Sequence, residues 1–208
     1  MEANQSDAFQ SHIGRYLGSL QNITAEFDWA PVHELASELL ECWKSGRQVF
    51  ICGNGGSGAN AIHMANDYIY GISKVCGSGL NCHALSENSA VLTCLANDTG
   101  YENIFSYQLA VMAKPDDVLI VLSGSGNSPN VLEAIKMAHS KEMKTYGILG
   151  FAGGEAKNMV QTPIHFAIND MQISEDLQMI VANMIFQWLY QQKDDVLRGQ
   201  KTADLKIA

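Results

Sequence analysis

Val118-Leu119-Ile120-Val121-Leu122-Ser123-Gly124-Ser125-Gly126-Asn127-Ser128-Pro129 changes character at its midpoint. The five apolar residues read as a strand buried on both faces, because a half-exposed strand would alternate apolar with polar. The small polar residues that follow let the chain turn, and Pro129 suits the first turn of a helix over 129–139. A second stretch has the same form: Val49-Phe50-Ile51-Cys52 runs into Gly53-Asn54-Gly55-Gly56-Ser57-Gly58, then a helical pattern over about 59–70. Further short apolar runs at 80–85, 145–149 and 164–168 are mostly separated by enough chain for a helix. Alternating strand and helix implies a parallel sheet covered on both faces. In such sheets the loops at the carboxyl ends of the strands hold the ligand.

Ahead of this core, 6–27 and 32–46 carry apolar residues at helical spacing (Phe9, Ile13, Leu17 and Leu20, then Leu35, Leu39 and Trp43), so two helices precede the sheet. The tail after about Gln192 is polar enough to be expected to fray. A length of 208 residues suits one domain, and 47% hydrophobic with 17% charged residues excludes a disordered or coiled-coil chain. No apolar run approaches the roughly 20 residues of a membrane span, and 1–7 lack the basic and apolar regions of a signal peptide, so a cytoplasmic location is expected. Five cysteines (Cys42, Cys52, Cys76, Cys82, Cys94) without a Cys-x-x-Cys pair read as buried reduced thiols.

The net charge of −9, from 13 basic and 22 acidic side chains, argues against a footprint on nucleic acid. An anionic ligand then needs a local pocket of backbone N–H groups and hydroxyls. Ser123, Ser125 and Ser128 at a strand-to-helix junction, with the positive end of the helix dipole behind them, suit a phosphate monoester. The loop has neither the lysine of a triphosphate-binding loop nor the spacing of a dinucleotide fingerprint. Either loop alone also reads as an ordinary turn with helix caps. His63 and Asp67, four apart, share a helix face away from Ile62, Ala65 and Ile69, so they can point into a cleft or simply bond each other.

Cys52-Gly-Asn-Gly-Gly-Ser57 together with Leu122-Ser-Gly-Ser-Gly-Asn-Ser128 resembles the sugar isomerase (SIS) fold in its phosphoheptose isomerase branch. The likeness extends over nearly the whole chain, as one SIS domain with an N-terminal helical extension (1–46), an α/β core (47–192) and a polar tail (193–208). It implies a three-layer α/β/α sandwich around a five-stranded parallel sheet, a homotetramer, and aldose–ketose isomerisation of sedoheptulose 7-phosphate. By the same resemblance Ser123, Ser125 and Ser128 hold the phosphate, with Gly124 where a threonine is usual, and Asn54, Gly55, Gly56, Ser57, Asn97 and Asp98 contact the substrate.

The family binds a divalent metal, usually zinc, through a histidine and a glutamate that align with His63 and Asp67, a glutamine that aligns with Glu175, and a histidine that aligns with Asn183. An amide exchanges no protons near neutral pH, so the family's two-base scheme cannot operate unchanged. One repair makes His63, Asp67 and Glu175 a three-ligand zinc site with Asp67 and Glu175 as the proton carriers. The other reading is a regulator that binds a phosphorylated sugar or a partner protein without turnover, of the kind that associates with a replication initiator. Ser174 is expected to cap the last helix, with Glu175 and Asp176 in its first turn.

Overall fold

The computed structural model describes residues 2–204. Strands β1 (Gln48–Gly53), β2 (Asn81–Ala84), β3 (Val118–Ser123), β4 (Lys144–Leu149) and β5 (Thr162–His165) form one sheet, all parallel, in the order β2-β1-β3-β4-β5. The helices are α1 (Glu2–Ala25), α2 (Ala30–Ser45), α3 (Gly55–Asn66), α4 (Ile72–Cys76), α5 (Ser89–Thr99), α6 (Ser106–Met112), α7 (Pro129–Ser140), α8 (Ala156–Met159), α9 (Met171–Gln191) and α10 (Lys193–Asp204). A π-helical turn, Asp67–Gly71, joins α3 to α4, and a 3-10 turn, Tyr101–Asn103, lies between α5 and α6.

Successive strand side chains point to opposite faces, and the chain uses both. Val49, Ile51, Val118, Ile120, Leu122, Ile148 and Ile164 pack with α2, α3, α4 and α9. Phe50, Cys52, Leu119, Val121 and Leu149 pack with α6, α7 and α8, with α5 partly buried against them. The result is the expected three-layer sandwich. Phe27, in the link between α1 and α2, stacks on Phe166 at 4.1 Å between centroids, and the Tyr16 hydroxyl donates to Asp176 at 2.7 Å. These contacts hold the N-terminal helices to α9 and the β5 end of the sheet. Burial and the neighbouring Asp176 carboxylate push the Tyr16 phenol up to about 12, so it stays a donor.

Four details differ from the sequence reading. The glycine-rich stretch after β1 is itself helical from Gly55, so its amides form the first turn of α3. The last helix starts at Met171, capped by Asp170 accepting from the Ile173 N–H at 3.0 Å, while the Ser174 hydroxyl donates back to the Asp170 carbonyl. Glu175 therefore lies in the second turn. The polar tail forms α10 as far as Asp204, anchored by the buried Val196; 205–208 lie outside the described residues. The cysteines are free thiols, but Cys94 is exposed and Cys76 only half-buried. Among the described residues no helix is long and apolar enough to cross a membrane.

At the end of the sheet away from the two loops, Asp117 is 2% exposed. Its carboxylate accepts from the Gln48 N–H at 2.9 Å, from Gln48 Nε2 at 3.0 Å and from the Lys114 N–H at 2.8 Å, which ties β1 to the start of β3. Asp117→Ala leaves these donors without their acceptor and is expected to lower stability by about 2–4 kcal/mol in urea unfolding.

Candidate active site

The chain passes from β1 outward to β2 and then returns to place β3 on the other side of β1. Where strand order reverses in this way, the connections leave to opposite faces of the sheet and a crevice opens at the strands' carboxyl ends. Here it is a cavity of about 280 Å³ lined by Asn54, Gly55, Gly56 and Ser57 on one side and Ser123, Gly124, Ser125 and Ser128 on the other, with Met171 and Glu175 of α9. A neighbouring cavity of about 350 Å³ shares Asn54 and Gly55 and runs on towards Ser86, Leu92, Tyr101 and Phe105.

On the serine side, Ser123 Oγ accepts the Gly126 N–H at 3.0 Å and Ser125 Oγ accepts the Asn127 N–H at 3.3 Å. A hydroxyl that accepts such a bond keeps its own O–H to donate. Ser128 precedes α7 in extended conformation, and its hydroxyl makes no capping bond. The three hydroxyls thus stay available to an anion at the positive end of α7. The turn after β4 braces the loop. Gly126 has φ +66° and lies so close to Gly153 that a Cβ would fall 1.9 Å from the Gly153 carbonyl oxygen. Asn127 Oδ1 accepts the Glu155 N–H at 2.9 Å, and the Ala156 N–H donates to the Gly126 carbonyl at 3.0 Å. A Cβ at Gly124 would lie 2.7 Å from Met171 Sδ and 3.2 Å from Phe151 Cε2, so the space of a threonine side chain is already filled.

On the glycine side, Asn54 precedes α3 in extended conformation. The first-turn amides of a helix have no partner within it, and the residues that carry those of α3, Gly55, Gly56 and Ser57, line the crevice. Ser57 is turned inward: its Oγ accepts from Gln178 Nε2 at 3.0 Å, and both residues are buried. Asn60 Nδ2 donates to the Glu175 carbonyl at 3.0 Å and to Gln178 Oε1 at 2.9 Å. These bonds fix α9 against α3 and bring Glu175 to the cavity. Its carboxylate lies flat over Gly56, where a Cβ would fall 2.2 Å from a carboxylate oxygen.

Asn54, Gly55, Gly56, Ser57, Ser123, Gly124, Ser125, Ser128 and Glu175 therefore share one crevice. The other candidates do not line it. His63 Nε2 stands 3.3 Å from Asp67 Oδ2, with 56% of the imidazole side chain exposed, and neither residue lines the two cavities. Among the described residues no three His, Cys, Asp or Glu side chains gather to hold a metal ion. His63, Asp67 and Glu175 are thus not gathered into the expected three-ligand zinc site among the described residues. Asn97 Nδ2 donates to Asp98 Oδ1 at 2.8 Å on an exposed part of α5, and neither residue lines the two cavities. Asn183 is exposed on α9.

Two buried residues hold the crevice wall from behind, Asn130 and Gln178, both 1% exposed. Periodicity carries the signal: Asn130 is in line with the buried Ala134 and Ala138, and Gln178 with Val181, Ala182 and Ile185. A polar side chain on a buried stripe needs partners, and here the partners are Asn54 and Ser57.

Residues 15–150 match the SIS domain family. The chain is 40% identical over 155 residues to a phosphoheptose isomerase of Trichlorobacter lovleyi, covering 74% of this chain and 78% of that one. It is 30% identical over 191 residues to the phosphoheptose isomerase of Synechocystis sp., covering 90% and 96%. The solved phosphoheptose isomerase of Francisella tularensis superposes with a TM-score of 0.78 at 26% identity, over 88% of this chain and 98% of the other. The chain belongs to the SIS domain family, in its phosphoheptose isomerase branch.

Proposed function

We propose that this chain is an aldose–ketose isomerase that interconverts sedoheptulose 7-phosphate and its aldose isomer, in the cytoplasm, in the synthesis of heptose for bacterial surface polysaccharide. The observation that carries this reading is that the Glu175 carboxylate opens into the same crevice as the Ser123, Ser125 and Ser128 hydroxyls. The hydroxyls and the α7 N-terminus bind the phosphate and so orient the sugar chain across the first turn of α3. Glu175 then removes a proton from C1, alpha to the C2 carbonyl. The electron pair forms the C1–C2 double bond of an enediolate, with negative charge on the C2 oxygen. Return of that proton from Glu175 to C2, with transfer of the O1 proton to O2, yields the aldehyde at C1. Asp67 is given no step, because it pairs with His63 and lines neither cavity. No step is assigned to zinc, since the donor set for it is not assembled.

The exposed amide of Asn183, where the resemblance places an acid/base histidine, keeps a second reading in view: a phosphosugar-binding regulator without turnover. Incubation of the protein with sedoheptulose 7-phosphate and direct detection of the aldose separates the two; thermal stabilisation without product would reject the isomerase. In an active enzyme Glu175→Gln is expected to lower kcat by at least about 100-fold while inorganic phosphate still stabilises the fold. Ser125→Ala removes one bond to a charged group and should raise KM about 10-fold with a smaller effect on kcat.

The proposal includes a homotetramer. Phe9 and Leu17 of α1 are 64% and 58% exposed and lie on one side of the helix. Buried neighbours for such residues come from another copy. Phe9→Glu/Leu17→Glu is expected to shift the sedimentation coefficient to a smaller species; an unchanged value would remove α1 from the interface.

A further inference from the structure

Asn130 lies in the first turn of α7, and its amide forms a reciprocal pair with that of Asn54: Asn54 Nδ2 donates to Asn130 Oδ1 and Asn130 Nδ2 to Asn54 Oδ1, both at 2.8 Å. A reciprocal pair by itself is satisfied equally well with both amides turned over. One further bond removes that ambiguity. Asn130 Oδ1 also accepts the Val131 backbone N–H at 3.0 Å. Turning Asn130 over would set its NH₂ against that N–H, donor against donor. The backbone of α7 therefore orients Asn130, and Asn130 orients Asn54. Tyr101, on the 3-10 turn, completes the set by donating its hydroxyl to Asn54 Oδ1 at 3.1 Å.

The Asn54 carbonyl oxygen takes two bonds, one for each lone pair. The NH₂ has two hydrogens and gives one to Asn130, so a single N–H remains without a partner among the described residues. Asn54 lines both cavities, and one of them holds Glu175. The amide thus offers the crevice a donor and never an acceptor, at a place where proton removal by Glu175 leaves negative charge on an oxygen. Donors fixed in advance at such an oxygen lower the barrier more than any bond to the ground state.

We propose that Asn130 is a positioning residue of the reaction: through Asn54 it aims an N–H at the substrate oxygen on which negative charge grows. This rests on the isomerase reading. Asn130 touches no substrate itself, and its effect passes entirely through Asn54.

Four variants test it: Asn54→Ala, Asn130→Ala, Asn130→Asp and the double Asn54→Ala/Asn130→Ala. Each is measured for kcat with sedoheptulose 7-phosphate, for inorganic-phosphate affinity by calorimetry and for Tm. Asn130→Ala is expected to lower kcat at least about 10-fold with inorganic-phosphate affinity within about 2-fold of wild type. Asn130→Asp is expected to lower it at least as far, because its second oxygen faces Asn54 Oδ1, acceptor against acceptor, and pushes that amide out of the pair. The double variant is expected within about 2-fold of Asn54→Ala, since nothing remains for Asn130 to orient. Multiplying effects in the double variant, or phosphate affinity that falls in step with kcat, would overturn the positioning role. Should Asn130→Ala unfold, the Asp variant, which keeps the size and the bond from Val131, decides by the same readouts. An active wild type whose Asn130 variants keep their kcat overturns this role alone; a wild type without turnover overturns the isomerase reading, and this role with it.

Discussion

Paired strands lie about 4.8 Å apart, and β1 pairs with β3 although β2 comes between them in the chain. This pairing is the constraint on which the site depends. From β1 the chain turns into α3 on one face of the sheet, and from β3 into α7 on the other. Two helices on opposite faces thus begin over neighbouring strand ends. Both N-termini converge on one crevice, and the chain there must be narrow enough for the termini to approach. Small residues in both loops meet that demand, and bulkier ones would close the space.

The convergence also resolves how a chain of net charge −9 presents a site for an anion. A helix end contributes about 0.3–1 kcal/mol to a bound charge, whereas each hydrogen bond to a charged group contributes about 1.5–3 kcal/mol. Three hydroxyl bonds therefore outweigh the dipoles, and overall charge, screened beyond about 8 Å at physiological ionic strength, matters least. What the fold must secure is the placement of Ser123, Ser125 and Ser128. The bonds from Gly126 and Asn127 do so for the first two while leaving their protons outward, and the turn after β4 holds the backbone that makes those bonds.

The sheet, its strands and both loops were legible in the sequence because each rests on local pattern: unbroken apolar runs, then small polar residues, then helical spacing. The serine hydroxyls followed from the same local signals, whereas Asn54 was carried over from the resemblance. Side chains whose role depends on which helix lies opposite were not legible from local pattern, and Glu175 was named only through the resemblance. Glu175 reaches the crevice because Asn60, Gln178 and Ser57 tie α9 to α3, contacts between residues more than a hundred positions apart. His63 and Asp67 were correctly placed on one helix face, but spacing along a helix says nothing about whether that face meets the cavity. Asn97 and Asp98, carried over from the resemblance, lie on α5, which buries none of its residues fully and leaves the pair bonded to each other. The helix boundary at Met171 went to Asp170 over Ser174 because both are competent caps, and only the path of the chain from β5 decides between them.

A crevice with one carboxylate is sufficient for the proposed chemistry, and the reason lies in the substrate. Loss of a proton from C1 and its return to C2 concern adjacent atoms of one planar enediolate. A cis enediolate presents both carbons on the same face, so one base placed over that face serves both transfers without dissociating from the sugar. Asn183, two turns or about 12 Å along α9 from Glu175, lines neither cavity and is not needed for either transfer. The demand moves instead to the oxygens, whose charge must be stabilised while the carboxylate holds the proton. The donors at hand are the first-turn amides of α3 and the N–H of Asn54, all on the side of the crevice that Gly56 leaves open to Glu175. Gly56 thereby links the two halves of the chemistry: a side chain there would displace the base and cover the amides in one step.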